Sequence, residues 1–105
     1  MAKRVQIAAL TDIPADGMRS FAHGDGRVAL YRIGDQLYAT DAICSHEEAD
    51  LTEGWLEGDD CAVECPLHGA RFDLRSGQAL SLPAYRPILV YPAEVHEGMV
   101  WVELP

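Results

Sequence analysis

Basic residues are scarce in this 105-residue chain: eight Lys and Arg stand against seventeen Asp and Glu, for a formal net charge of −9. A nucleic-acid backbone or an anionic lipid surface is recognised by a basic patch, and no stretch of the sequence supplies one. Long apolar runs are missing too. No segment approaches the ~18 residues needed to span a bilayer, and Met1-Ala2-Lys3-Arg4-Val5-Gln6-Ile7 has no apolar run of the signal-peptide kind. Cysteines are few and odd in number, three, which excludes a complete disulfide framework and fits a reducing, cytoplasmic compartment. Helical periodicity is poor everywhere. The best stretch, His46 to Leu56, lacks a clean apolar stripe and contains Gly54.

What the sequence does have is short extended segments with dense punctuation by nine Gly and six Pro. Val5–Ala9, Met18–Ala22, Arg27–Ile33, Gln36–Thr40, Ile88–Val95 and Met99–Leu104 read as strands. Gly24-Asp25-Gly26, Gly34-Asp35 and Glu97-Gly98 read as the turns between them. At this length the chain is expected to be one domain spanning 1–105. The fold class is all-β, a small antiparallel β-sandwich or partly open barrel. Residues 43–83 differ in texture, being rich in Gly, acids, Cys and His with little strand pattern. They are expected to form a loop-rich subdomain inserted into the β base and held by something other than a large core.

The charge imbalance is local. Nine acids and no Lys or Arg lie between Asp41 and Glu64, while the rest of the chain carries eight of each sign. Such a segment is either a solvated loop or a face that steers a basic partner by its long-range field.

Within this segment and just beyond it lie Cys44-Ser45-His46 and Cys65-Pro66-Leu67-His68-Gly69. Two thiols and two imidazoles in paired short spacing make a metal-ligand set. A structural Cys₂His₂ zinc site, and hence a zinc-stabilised binding module, would accept the same donors. Common zinc modules, however, run Cys-Cys then His-His with a helix carrying the histidines. Cys61 has no His partner at either spacing.

Cys-x-His, a spacer of eighteen residues, then Cys-x-x-His-Gly resembles the Rieske [2Fe–2S] pattern. The run Cys-Pro-Leu-His-Gly-Ala-Arg-Phe-Asp-Leu-Arg-Ser-Gly (65–77), followed by Leu-Pro-Ala (82–84), is similar to the ferredoxins of bacterial aromatic-ring-hydroxylating dioxygenase systems. The resemblance implies the Rieske fold and one [2Fe–2S] cluster. Cys44 and Cys65 would bind one iron, and His46 and His68 the other. Two thiolates cancel the +2 of the oxidised core, so the site is near neutral before it takes an electron. That accounts for Rieske potentials of roughly −150 to +300 mV, above those of four-thiolate clusters.

Departures from the family's high-potential branch point to the low end of that range. Leu67 stands where a disulfide cysteine would be, and Ala70 and Phe72 stand where hydroxyl donors to sulfur would be. The resemblance further implies a monomeric electron carrier and no catalysis by the chain itself, since 105 residues leave no room for a mononuclear iron domain. Its partners would be a flavin-dependent reductase and a terminal oxygenase. The alternative within the family is a small Rieske subunit of another reductase, such as a nitrite reductase. The contact tip would gather around His46, His68, Pro66, Leu67 and Pro83. Among the remaining residues, Cys61 is expected to be a buried structural thiol, His23 and His96 surface histidines, and Trp101 core. Trp55 is expected either to pack the subdomain onto the base or to serve docking, and Arg71 and Arg75 to form salt bridges with the neighbouring acids.

Overall fold

The computed structural model describes residues 3–45, 48–67, 69–82 and 86–105. His46, His68 and Pro83, named above as two ligands and a loop residue, lie outside the described residues. The chain runs β1 (Lys3–Ala9), β2 (Met18–His23), β3 (Gly26–Ile33), β4 (Gln36–Asp41), β5 (Trp55–Glu57), β6 (Ala62–Glu64), β7 (Arg71–Asp73), β8 (Val90–Tyr91), β9 (Ala93–His96) and β10 (Met99–Leu104). All pairings are antiparallel. They form sheets of order β1-β10-β9, β2-β3-β4-β8 and β5-β6-β7. No helix among the described residues is long and apolar enough to cross a membrane.

Turn chemistry sets the hairpin registers. Gly24 and Gly34 have φ of +58° and +56°, and each opens a two-residue turn, between His23 and Gly26 and between Ile33 and Gln36. Glycine at the first central position is the demand of a type II′ turn, whose twist matches that of the flanking strands. At the last hairpin both central residues are left-handed, Glu97 at +53° and Gly98 at +77°, the type I′ geometry.

β3 is buried on both faces. Val28 and Leu30 join Ala39, Val100, Val102, Ala8 and Ile13 in a core shared with the β1-β10-β9 sheet. Ala29 and Tyr31, pointing the opposite way by strand alternation, join Leu51, Val63, Phe72 and Leu74 in a second core. The β2-β3-β4-β8 sheet is therefore a middle layer. The base sandwich closes on one side, and the inserted β5–β7 unit sits on the other. The Tyr31 hydroxyl bonds Thr40 Oγ1 at 2.9 Å, and that hydroxyl donates to Asp41 O at 2.8 Å, so the buried polar pair is satisfied. Burial pushes the Tyr31 phenol well above its ordinary pKa, so it stays protonated.

Three expectations are corrected. Ile88–Val95 is not one strand. It divides at Pro92, with Val90–Tyr91 pairing β4 and Ala93–His96 pairing β10. Pro92 has no N–H to donate, and its carbonyl accepts from Glu103 N at 2.9 Å as the chain crosses between sheets. The 43–83 unit is loop-rich as expected, but it holds three short strands, and its Leu51, Val63, Phe72 and Leu74 side chains pack with Ala29 and Tyr31 in a core shared with β3. Trp101 is not core: Val100 and Val102 take the inward positions, and Arg4 lies over its ring at 5.2 Å.

Asp50 joins the inserted unit to the base. It caps the 3₁₀ turn Leu51–Glu53 by accepting from Thr52 N and Oγ1 at 2.9 and 2.6 Å. It also accepts from Ser20 Oγ on β2 at 2.6 Å, with Arg27 at 3.6 Å. Burial alone would raise its pKa. The hydrogen bonds from Ser20 and Thr52, with the Arg27 charge, overcome that and hold it below the usual carboxylate range. A depressed folded-state pKa gives stability that is present above the unfolded value of ~3.9 and is lost as pH falls through the folded value. Asp50→Ala is expected to cost about 1 kcal/mol in urea unfolding at pH 7. The gap to the unaltered chain should narrow steadily below pH ~4.

Gly54 makes the closest approach inside the inserted unit. A Cβ there would sit 1.9 Å from Glu64 O and 3.0 Å from Pro66 N, both backbone atoms. Gly54→Ala is expected to lose about 3 kcal/mol, the upper end of overpacking costs, with a lowered Tm and less iron per purified chain.

Candidate metal centre

Cys44 and Cys65 occupy equivalent places in two hairpins. In the first, Leu51 N bonds Ala42 O at 2.8 Å, Ile43 pairs with Asp50, and Cys44 N donates to Ala49 O at 2.9 Å. In the second, the β6–β7 ladder runs through Glu64 and Arg71 and ends with Cys65 N donating to Ala70 O at 2.7 Å. Each cysteine is thus the last ladder residue before a four-residue connection, 45–48 or 66–69, and each is closed by an alanine. His46 falls second in the first connection and His68 third in the second, by sequence. Gly69 has φ of +71° with open space where a side chain would be, so the left-handed backbone and not crowding calls for glycine.

Both thiols are buried, at 4% and 0% exposure, in the core built on Tyr31. A buried free cysteine is ordinary by itself; what fits a soft metal centre here is the pairing of two such cysteines, in equivalent hairpins, with a histidine close by in sequence. The donor set of two thiolates and two imidazoles is that of a Rieske cluster. Among the described residues no three His, Cys, Asp or Glu side chains lie close enough to hold a metal ion, and two of the four expected ligands lie outside them.

A third segment meets both hairpins. Residues 78–81 run back along β7, with Asp73 N donating to Gln78 O at 2.9 Å and Leu80 N donating to Arg71 O at 2.7 Å. There the ladder stops, and Arg71 N donates to Ser81 Oγ at 3.1 Å. The base of this third loop is pinched shut. Ile88 N donates to Gly77 O at 2.9 Å, and a Cβ on Gly77 (φ +81°) would lie 2.1 Å from Ile88 O. On its return, Arg86 O accepts from Ser45 Oγ at 2.7 Å. Neither hydroxyl's partner is evident from sequence: Ser45 lies within Cys44-Ser45-His46, and Ser81 directly precedes Leu-Pro-Ala (82–84).

The other singled-out residues fall as follows. Cys61 lies at the opposite end of β6 from Cys65, half-buried, with φ of +51°. Its hydrogen bond with Tyr38 raises the tyrosine pKa, so it is a structural thiol but not a wholly buried one. His23 and His96 are exposed. Trp55 is 58% exposed and does not pack the subdomain onto the base; Leu56 beside it does. Arg71 bridges β7 to β5 through both Glu57 oxygens, at 2.5–3.1 Å, and reaches Asp60 at 3.3 Å. Arg75 pairs with Asp73 at 3.4 Å. Leu67 and Leu82, flanking the second hairpin and the third loop, are 46% and 80% exposed.

Comparison with known proteins agrees with this geometry. The family model of the Rieske [2Fe-2S] domain matches residues 3–92. The chain is 47% identical over 78 residues to the 3-phenylpropionate/cinnamic acid dioxygenase ferredoxin subunit of Escherichia coli (strain K12), covering 74% of this chain and 73% of that protein. Its fold is similar to the ferredoxin of carbazole 1,9a-dioxygenase from Nocardioides aromaticivorans IC177, with a TM-score of 0.89 and 33% identity over 95% of this chain and 96% of the other. It is also similar to a chain in the complex of reduced oxygenase and oxidized ferredoxin in carbazole 1,9a-dioxygenase, with a TM-score of 0.85 and 39% identity over 94% and 91%. These matches select iron–sulfur chemistry over a zinc module. Two buried thiols at the mouths of paired hairpins, on an all-β base that the family model spans, make this chain a member of the Rieske [2Fe-2S] family, an electron-carrying ferredoxin with one Rieske-type cluster.

Proposed function

We propose that this ferredoxin serves a multicomponent dioxygenase system. It accepts one electron from a flavin-dependent reductase and delivers it to a terminal oxygenase that hydroxylates an aromatic ring. The observation that carries this reading is the pair of matching Cys–Ala hairpins, each with one His in its four-residue connection and with the exposed Leu67 and Leu82 nearby. Cys44 and Cys65 would hold one iron, His46 and His68 the other. A bound [2Fe–2S] cluster cycles between states one electron apart.

The chain's own residues set the terms of that exchange. The buried hairpin ends keep the sulfur ligands away from solvent. Ala70 and Phe72, both wholly buried, bring no hydroxyl to the site, so the reduced and more negative state gains little from donors. The acids between Asp41 and Glu64 act in the same direction, and the potential falls at the low end of the Rieske range, roughly −150 mV. Leu67 and Leu82 offer an apolar contact for a small, transient interface. The exposed Glu53, Asp59 and Asp60 steer encounter with basic partners, the chain working as a cytoplasmic monomer.

Reductive titration followed by electron paramagnetic resonance tests the reading. A rhombic signal with the low average g of mixed N/S ligation should appear only near the bottom of the Rieske range. A clearly positive midpoint would overturn the dioxygenase assignment. Ala at Cys44, His46, Cys65 or His68 should abolish that signal, whereas Cys61→Ser should leave it intact; its loss in the latter would overturn the ligand set. Stopped-flow reduction by the reductase should slow several-fold between 50 and 500 mM salt, and a salt-independent rate would remove the steering role.

A further inference from the structure

We propose that Trp55 is the apolar anchor of a docking face on the outer side of the β5-β6-β7 sheet, and that its occupant is a terminal oxygenase presenting an apolar recess rimmed by Lys and Arg. The inference rests on the dioxygenase reading above and deepens it by naming a contact residue and a face.

Strand register places the residue. Leu56, Val63 and Phe72 lie side by side across β5, β6 and β7 and pack into the core that contains Tyr31. Trp55, Glu64 and Arg71, one position away on each strand, form the matching row on the opposite face. Trp55 is 58% exposed there. Among the described residues, none makes a hydrogen bond, ion pair or ring contact with its side chain. The other tryptophan shows the contrast. Trp101 is half-buried, and its own chain covers it: the Arg4 guanidinium lies 5.2 Å from the ring centroid and is held there by an ion pair with Glu94. An open Trp55 contributes little to this chain's own stability, and tryptophan is among the residue types that carry binding energy at interfaces.

Location and charge select the occupant. The row lies directly beside the second cysteine. Glu64 precedes Cys65, Arg71 follows the Ala70 whose carbonyl accepts from Cys65 N, and Gly54 lies against the backbone of Glu64 and Pro66. A protein seated on Trp55 is therefore seated alongside that hairpin, where an electron acceptor has to be. The rim of the indole is negative. Arg71 pairs with Glu57 and reaches Asp60, Glu64 stands next to Trp55, and the exposed Glu53 and Asp59 flank β5 without an ion-pair partner among the described residues. The complementary surface is basic. A second copy is a poor occupant, because two chains of net charge −9 would bring like rims together. Of the two partners in the reading above, the oxygenase is chosen because the carbazole 1,9a-dioxygenase complex pairs an oxygenase with a ferredoxin. The acids speed encounter and are screened by salt, whereas the indole slows departure and is not.

The test uses the full cluster-bearing chain and the oxygenase of its own system, with Trp55→Ala, Trp55→Tyr and Trp101→Phe. Trp55→Ala should raise the Kd for the oxygenase about thirtyfold, the factor equivalent to the ~2 kcal/mol that marks a hot-spot residue. That factor should be the same at 50 and 500 mM salt. The Rieske signal and midpoint potential should not move. Trp55→Tyr should recover most of the affinity, and Trp101→Phe should lose none. A second measurement needs no change at Trp55. In fluorotryptophan-labelled chain, the fluorine resonance that persists in Trp101→Phe should shift when oxygenase is added, and the Trp101 resonance should keep its position. A native Rieske signal with an unchanged Kd and an unshifted Trp55 resonance overturns the docking face alone. A loss of affinity for the reductase only, or a dimer that Trp55→Ala dissolves, overturns the occupant and with it the proposal. An unaltered chain that binds no oxygenase overturns the dioxygenase reading and the docking face together. Should Trp55→Ala fail to hold its cluster, the fluorine shift decides the question.

Discussion

The structure depends on one strand being buried on both faces. Val28 and Leu30 of β3 belong to the core of the base sandwich, while Ala29 and Tyr31 belong to the core beneath the two cysteine hairpins. Neither unit has to be stable alone, because each buries its apolar side on the same middle sheet. The cost of this arrangement is a polar group in the interior. It is met by a short relay in which the Tyr31 hydroxyl bonds Thr40 and Thr40 donates to the Asp41 carbonyl.

The cysteine hairpins inherit their precision from that base. Cys44 is the third residue after β4 ends, and Cys65 follows β6 directly. Each thiol is therefore placed by a ladder and not by a flexible loop. Gly54 sets how close the two hairpins come, because its bare Cα lies against the carbonyl of Glu64, the residue before Cys65. Asp50 fixes the inserted unit to β2 through Ser20. The charge pattern is separated from this scaffold. Buried thiols sit at the hairpin ends, whereas acids such as Glu53, Asp59 and Asp60 lie on the surface, where they act at long range without destabilising the core.

Several elements were legible because their physics is local. Gly34-Asp35 and Glu97-Gly98 announce tight hairpins, since left-handed backbone is a property of the residues in the turn. The Cys-His spacings identify a metal centre because donor chemistry is written in residue types. Strand assignment failed where two sheets compete for one apolar run. Ile88–Val95 alternates well enough for a single strand, and only the partners on either side of Pro92 divide it. Trp101 failed for a related reason: Met99 to Val102 are all apolar, so alternation alone cannot say which of them face inward.

By itself the sequence determined the all-β class and the negative field, and it is the ground for proposing Cys44, His46, Cys65 and His68 as the donor set, with no hydroxyl at Ala70 or Phe72. Each of these is a property of residue type and short-range spacing. Tertiary structure alone decided that the 43–83 segment has a core, that β3 serves two layers, and that Ser45 and Ser81 reach Arg86 and Arg71. Those facts depend on contacts between segments distant along the chain. A side-chain hydroxyl gives no sign in sequence of which distant backbone group it will meet.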